Sequence, residues 1–177
     1  QATLTPDEAE AQRPTLTIND VVARYPLFLL LGAPGSGKTT LLRHLTTLLA
    51  RGEATTTLAL PDKPLLPILV PLRNFGRFLA AHSKEFTNPA PAALRTFIED
   101  YFREYDLTLP PDFFQQRLRE GGCLLLLDGL DEVADRDLRA QVAQMVSAFI
   151  RHYARQGNRF GLASRPKGYD EVAAYLP

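Results

Sequence analysis

Residues 32–39 form the segment that most constrains what this chain can fold into. Their sequence is Gly32-Ala33-Pro34-Gly35-Ser36-Gly37-Lys38-Thr39, which matches the phosphate-binding pattern G-x-x-x-x-G-K-[ST]. A continuous apolar run at 27–31 precedes this segment, and a helical pattern of leucines begins at Lys38. A strand, a glycine-rich loop and a helix are the context that the pattern requires. An incidental lysine in a glycine-rich turn is the alternative, and it does not account for that context.

The chemistry of phosphate explains each residue type in this loop. Main-chain N–H groups must point inward around the phosphates, and glycine tolerates the positive φ angles that this requires. The helix that follows presents unpaired N–H groups and a dipole that favour an anion. Lys38 would stabilise the charge on the β- and γ-phosphates, in binding and in catalysis, and the Thr39 hydroxyl would bind Mg²⁺. We therefore predict a nucleoside triphosphate site that extends from Gly32 to Thr40.

Three carboxylates follow the apolar run at 123–127. Ligands of open α/β sheets bind at the carboxyl ends of strands, so Asp128 is predicted to hold Mg²⁺. Either Asp131 or Glu132 would orient the attacking water. We favour Glu132, because its longer side chain can reach past Asp128 towards the γ-phosphate. Capping of a helix is the alternative function for these acids.

Strand-like and helix-like segments alternate along the rest of the chain. Apolar runs predict strands at 27–31, 65–72, 123–127 and 160–163, and periodic apolar residues predict helices at 18–24, 38–51, 91–105, 110–120 and 138–157. The first run is typical of a strand buried on both faces, whereas three prolines place the second at a sheet edge. The alternation predicts an α/β domain with a mainly parallel sheet between helices. Residues 1–14 are predicted to be a linker or flexible arm.

Composition excludes several classes of protein. The 20 basic and 20 acidic residues give a formal net charge of zero, which argues against charge-driven nucleic-acid binding. The single cysteine, Cys123, fits a reducing compartment, and we expect a cytoplasmic location. No apolar run approaches the roughly 18 residues of a membrane helix. Because the chain begins with Gln1, we expect it to be a segment of a longer protein.

Three segments together resemble the NACHT NTPases, within the STAND class of signal-transducing ATPases. They are residues 32–39, residues 124–132, and Ser164-Arg165-Pro166, which is similar to the family's sensor 1. In the second segment a small residue and an Asp-Glu pair follow Asp128, which is a distinctive form of the Walker B motif. Residues 67–73 are similar to the family's second strand. The resemblance implies a three-layer P-loop sandwich over residues 15–177, with strand order 5-1-4-3-2 and the fifth strand missing here. Since the fifth strand would flank the first, the first strand is expected at a sheet edge.

The resemblance also implies a molecular switch. Family members hold ADP in a closed form, exchange it for ATP, and assemble into oligomers that activate an attached effector. By motif position, Asp128 would bind magnesium, Asp131 or Glu132 would serve hydrolysis, and Arg165 would sense the γ-phosphate. Without the resemblance, Arg165 could equally be a solvated loop residue. The family's later helical domains, which complete the nucleotide pocket, are not found before Pro177. We therefore expect weak binding and slow or undetectable hydrolysis from this segment.

Three rival functions differ in what they require. A GTPase would carry a guanine-reading [NT]-K-x-D element, and the sequence contains none. An AAA+-like ATPase would share the sheet, but residues 128–132 and 164–166 fit the NACHT pattern better. A nucleotide-dependent assembly module without useful turnover would form ATP-driven oligomers even when the hydrolytic residue is replaced.

Overall fold

The computed structural model describes residues 16–53, 64–105 and 109–177, and within them one four-stranded parallel sheet. The strands are β1 Leu27–Leu31, β2 Leu66–Pro71, β3 Cys123–Asp128 and β4 Arg159–Ser164. Their order is β1-β4-β3-β2. This confirms the predicted α/β class, the place of the second strand at an edge, and the position of β4 between β1 and β3. The arm predicted at 1–14 lies outside the described residues.

Seven α-helices in the described residues cover both faces of the sheet. They are α1 Ile18–Arg24, α2 Lys38–Ala50, α3 Leu72–Ala81, α4 Pro91–Arg103, α5 Phe113–Glu120, α6 Arg136–Tyr153 and α7 Pro166–Asp170. Helices α1 and α2 pack with Leu124 and Leu126, whereas α3 to α6 pack with Leu125 and Leu127. Alternate side chains of β3 therefore enter opposite layers, as the period of a strand requires, and the result is a three-layer sandwich.

Local polar contacts fix where two of these helices begin. At α1, the Asp20 amide donates to the Thr17 hydroxyl at 3.2 Å, and the Thr17 amide donates back to the Asp20 carboxylate at 3.2 Å. This is a capping box. At α6, the Leu138 amide donates to the Asp135 carboxylate at 2.7 Å. Helix α6 therefore starts directly after residues 128–134, which carry the predicted acidic site residues.

The prediction that the first strand is buried on both faces is wrong, whereas its expected place at a sheet edge is confirmed within the described residues. Leu27, Leu29 and Leu31 are between 36% and 43% exposed, whereas Phe28 is buried. The three exposed leucines alternate with Phe28 and Leu30, so they share one face of the strand, which the described helices leave partly uncovered. In the described residues β1 pairs only with β4, so this face lies at an edge of the sheet. The sheet therefore has β1 at one edge and β2 at the other.

Two helices differ from the sequence predictions. The helix expected to open at Pro110-Pro111 begins at Phe113, because Asp112 has a φ of 58° and so lies in the left-handed region. Helix α3 is absent from the predictions. It begins at Leu72, which the apolar pattern assigns to the second strand, and no side chain caps it.

Cys123 is a core residue at the start of β3. It is fully buried, and burial raises the pKa of its thiol to about 11. Both observations fit a packing role for this side chain. In the part of the chain that the structure describes, no helix combines the length and the apolar character needed to cross a membrane.

Candidate nucleotide-binding site

The glycine-rich loop at 32–37 joins β1 to α2 at the carboxyl edge of the sheet. The Gly32 amide donates to the Ser164 carbonyl at 3.3 Å, which ties the start of the loop to the end of β4. Gly35 and Gly37 have φ angles of 74° and 83°. These are the left-handed angles that the sequence predicts for glycine in this loop.

Lys38 folds back over the loop that precedes it. Its Nζ donates to the carbonyls of Gly32 at 2.7 Å and Ala33 at 3.0 Å, and to the Ser36 hydroxyl at 3.3 Å. All three partners lie within six residues of Lys38. The loop therefore holds the ammonium group with its own atoms, close to the N-terminus of α2.

The sheet order brings the acidic residues and Arg165 to the same edge as this loop. Asp128 ends β3, and Arg165 follows the last residue of β4, which lies between β3 and β1. Past the end of β3, the Gly129 amide still donates to the Ala163 carbonyl at 3.2 Å. The chain after Asp128 is thereby kept against β4 as it turns into the 3₁₀-helix Leu130–Glu132.

Asp131 is bonded to Arg165 at two points. One carboxylate oxygen accepts from the Arg165 main-chain amide at 2.9 Å, and the other lies 2.9 Å from the Arg165 Nε. The Asp131 side chain is only 10% exposed, whereas that of Arg165 is 51% exposed. Asp131 is therefore engaged in holding Arg165. The sequence gives no signal for this pairing, because the two residues lie 34 positions apart.

Glu132 has a different environment. It is exposed, and its carboxyl carbon lies 3.0 Å from the position that a Cβ on Gly129 would occupy. Any larger residue at 129 would therefore push the Glu132 side chain away from its place. This close approach is a physical reason for the small residue that follows Asp128 in the sequence.

Most of the predicted site residues line one cleft of about 230 Å³. The lining consists of Pro34, Gly35, Ser36, Gly37, Lys38, Thr39, Thr40, Asp128, Gly129, Asp131, Glu132 and Arg165. Two predicted residues, Gly32 and Ala33, are not in the lining, but their carbonyls hold Lys38. The cleft thus places a cation and a helix N-terminus opposite carboxylates, which suits a phosphate chain bound with a cation.

The donor atoms in the cleft fit a hard divalent cation. The Thr39 hydroxyl and the Asp128 carboxylate both line it, and Mg²⁺ is usually held by one or two protein oxygens together with substrate phosphates. Within the described residues, no group of three or more His, Cys, Asp or Glu side chains is placed to hold a metal ion.

The parallel sheet, the glycine-rich loop and the acidic strand end define a nucleotide-binding P-loop NTPase. The family model for the NACHT domain matches residues 27–177 of the chain. This match covers most of the sequence, and the chain belongs to the NACHT domain family. Comparison with curated proteins gave no significant match.

Proposed function

We propose that residues 15–177 form the nucleotide-binding domain of an ATP/ADP-dependent switch of the STAND class, which hydrolyses ATP slowly with Mg²⁺. The observation that carries the proposal is the single cleft lined by Lys38, Asp128, Glu132 and Arg165. Residues that bind phosphate, hold a cation and activate water must all surround one γ-phosphate, and these four line one space.

The phosphate chain would lie along the glycine-rich loop and the N-terminus of α2. Lys38 would exchange its bonds to the loop carbonyls for bonds to phosphate oxygens, which are stronger because both partners are charged. Thr39 and Asp128 would hold Mg²⁺, directly or through water. When bound, this cation would neutralise charge that develops on the phosphates during hydrolysis.

Glu132 is the better choice for the hydrolytic residue. Both Asp131 oxygens are occupied by Arg165, whereas Glu132 is exposed and lines the cleft. Glu132 would accept a hydrogen bond from the attacking water and orient it towards the γ-phosphate. Asp131 would instead hold Arg165 beside that phosphate, where the half-exposed guanidinium would distinguish ATP from ADP.

Membership of the NACHT family supports a switch in preference to a metabolic enzyme. We propose that ATP binding favours self-association of the full-length protein, and that effector and sensor domains lie outside these 177 residues. A cytoplasmic location is part of the same proposal. An assembly module without useful turnover is the second candidate, since the half-exposed Arg165 could report on bound ATP without hydrolysis.

The proposed function is tested by calorimetric titration of the chain with ATP, ADP and GTP, each with Mg²⁺ and with EDTA. We expect Mg²⁺-dependent binding that favours adenine nucleotides, together with slow phosphate release. Equal or tighter binding of GTP would contradict the proposal. Both candidates predict that Glu132→Gln forms oligomers with ATP, so phosphate release by the wild-type protein separates them. The second candidate predicts no phosphate release.

A further inference from the structure

Arg139 lies in the first turn of α6 and joins two segments that flank the cleft. Its Nε and Nη2 donate to the Val133 carbonyl at 2.9 and 2.7 Å, and Nη2 also lies 3.4 Å from the Ala134 carbonyl. Its Nη1 forms an ion pair with the Glu171 carboxylate. The Arg139 side chain is only 12% exposed.

The two joined segments carry the residues proposed to act on the γ-phosphate. We call residues 128–134 the acidic turn, which contains Asp128 and Glu132, and residues 164–172 the sensor segment, which contains Arg165 and α7. Val133 directly follows Glu132, and Glu171 directly follows α7. One guanidinium therefore fixes the end of the acidic turn and the end of the sensor segment at the same time.

Two further contacts join the same segments closer to the cleft. Asp131 binds the main chain and the side chain of Arg165. In addition, a Cβ placed on Gly168 would lie 2.4 Å from the Asp131 Cβ, so that α7 packs directly on the acidic turn. The two segments are thus attached at two places. Asp131 contacts Arg165 and Gly168 near the start of the sensor segment, and Arg139 bonds to Glu171 at its end.

The N-terminal part of α6 does not by itself account for the bonds that Arg139 makes. The dipole of α6 disfavours a cation in the first turn of the helix. A planar guanidinium can donate to carbonyls and to a carboxylate at once, and a lysine ammonium lacks this fixed geometry. The bridge between the two segments therefore accounts for an arginine, in preference to a lysine, at position 139.

We propose that Arg139 is a positioning residue that, through Val133 and Glu171, makes the acidic turn and the sensor segment one rigid unit. This inference rests on the proposed function of Glu132 and Arg165. Contact between Arg165 and a γ-phosphate would then be coupled to the position of Glu132. Arg139 itself does not line the cleft.

The test compares Arg139→Gln, Arg139→Lys and Glu171→Gln with a matched control, Arg159→Gln. Arg159 also donates its guanidinium to main-chain carbonyls, those of Val22 at 2.7 Å and Tyr25 at 3.4 Å, but at the start of β4, the opposite end of that strand from Arg165. The first readout is hydrogen–deuterium exchange of the protein without nucleotide. We expect exchange in Arg139→Gln to rise roughly five- to tenfold in both segments together.

The second readout is the ratio of dissociation constants for ADP and ATPγS, measured with Mg²⁺. We expect the preference for ATPγS to fall roughly fivefold in Arg139→Gln, while ADP affinity stays within about twofold of wild type. Arg139→Lys should give an intermediate loss, because it keeps the charge beside Glu171 without the planar fork. Arg159→Gln should leave unchanged both the exchange in the two segments and the ratio of dissociation constants.

Faster exchange in only one segment, or in neither, would overturn the coupling. If Arg139→Gln fails to fold, hydrogen–deuterium exchange of Glu171→Gln tests the coupling in its place. That variant removes only the ion pair and keeps the bonds from Arg139 to Val133, and exchange should again rise in both segments. A wild-type chain that does not discriminate ATPγS from ADP would contradict the proposed function. The exchange measurement would still decide whether Arg139 couples the two segments.

Discussion

The glycine-rich loop and the acidic turn line the same cleft. The side-chain contacts of the loop lysine join residues that are close in the sequence, whereas those that hold the acidic turn join residues far apart in the sequence. Lys38 is bonded to Gly32, Ala33 and Ser36, all within six residues. The acidic turn is held by Asp131 bonding to Arg165, 34 residues away, and by Arg139 bonding to Glu171, 32 residues away. The position of Lys38 is therefore set by local contacts, although the start of the loop is also tied to β4 through the bond from the Gly32 amide to the Ser164 carbonyl. The acidic turn depends on side-chain contacts with distant residues.

This difference has a consequence for function. Because Lys38 is held by atoms of its own loop, it should keep its place when distant side chains are replaced. The acidic turn moves with the sensor segment, so its geometry can respond to what Arg165 contacts. Nucleotide binding and nucleotide hydrolysis should therefore respond differently to substitutions in the two regions.

The largest expected effect follows from replacing Glu132. Glu132→Gln should leave ATP binding within about twofold but lower the rate of hydrolysis by roughly 10²- to 10⁴-fold, the usual contribution of a general base. Single-turnover release of labelled phosphate measures the rate, and titration measures the affinity. Glu85→Gln, an exposed residue outside the cleft, is the control. An unchanged rate in Glu132→Gln would remove Glu132 from the mechanism.

A methyl group at Gly168 should separate the acidic turn from α7. Since the added Cβ would lie 2.4 Å from the Asp131 Cβ, Gly168→Ala should lower the free energy of unfolding by about 1–3 kcal/mol. Hydrolysis should fall while ADP affinity, which depends on the loop, is retained. In Gly122→Ala the nearest atom to the new Cβ is 4.0 Å away, so stability should not fall. Equal stability of both variants in urea would contradict the packing argument.

Loss of the Asp131 charge should have a smaller effect. Asp131→Asn weakens the bonds to Arg165, and because Arg165 is half exposed we expect solvent screening to limit the loss to about 1 kcal/mol. The preference for ATPγS over ADP should fall with it. The control is Asp100→Asn, which breaks the more exposed pair with Arg103 and should change stability by less than about 0.5 kcal/mol. Similar losses in the two variants would show that Asp131 holds nothing in place.

The smallest effect is expected within the loop. Ser36→Ala removes only the 3.3 Å hydrogen bond to Lys38, whose ammonium keeps two carbonyl partners. Stability should therefore change by less than about 0.5 kcal/mol and ADP affinity by less than about threefold. Urea denaturation and ADP titration measure these changes. A larger loss of affinity would mean that the loop is not held by its main chain.

Features that depend on residues close in the sequence could be predicted, whereas contacts between distant residues could not. The glycine-rich loop, the four strands and the β1-β4-β3-β2 order follow from local patterns and from the resemblance at residues 32–39, 124–132 and 164–166. The assignment of Asp131 and Glu132 stays open in the sequence, since only the folded sheet brings Arg165 onto Asp131. Helix α3 starts at Leu72 without a capping side chain, and its only local signal is the helical spacing of Leu72, Phe75 and Leu79, which overlaps the end of the second apolar run. Arg139 has one weak signal, a cation in the first turn of a helix.

The most direct test of the account is titration of wild type and Lys38→Ala with Mg-ATP, with Lys84→Ala as an exposed control outside the cleft. Lys38 is the residue proposed to bind the phosphates, and a hydrogen bond to a charged group contributes roughly 1.5–3 kcal/mol. We predict that the dissociation constant is approximately 10- to 100-fold larger for Lys38→Ala and unchanged for Lys84→Ala. Equal affinity of wild type and Lys38→Ala would contradict nucleotide binding in this cleft.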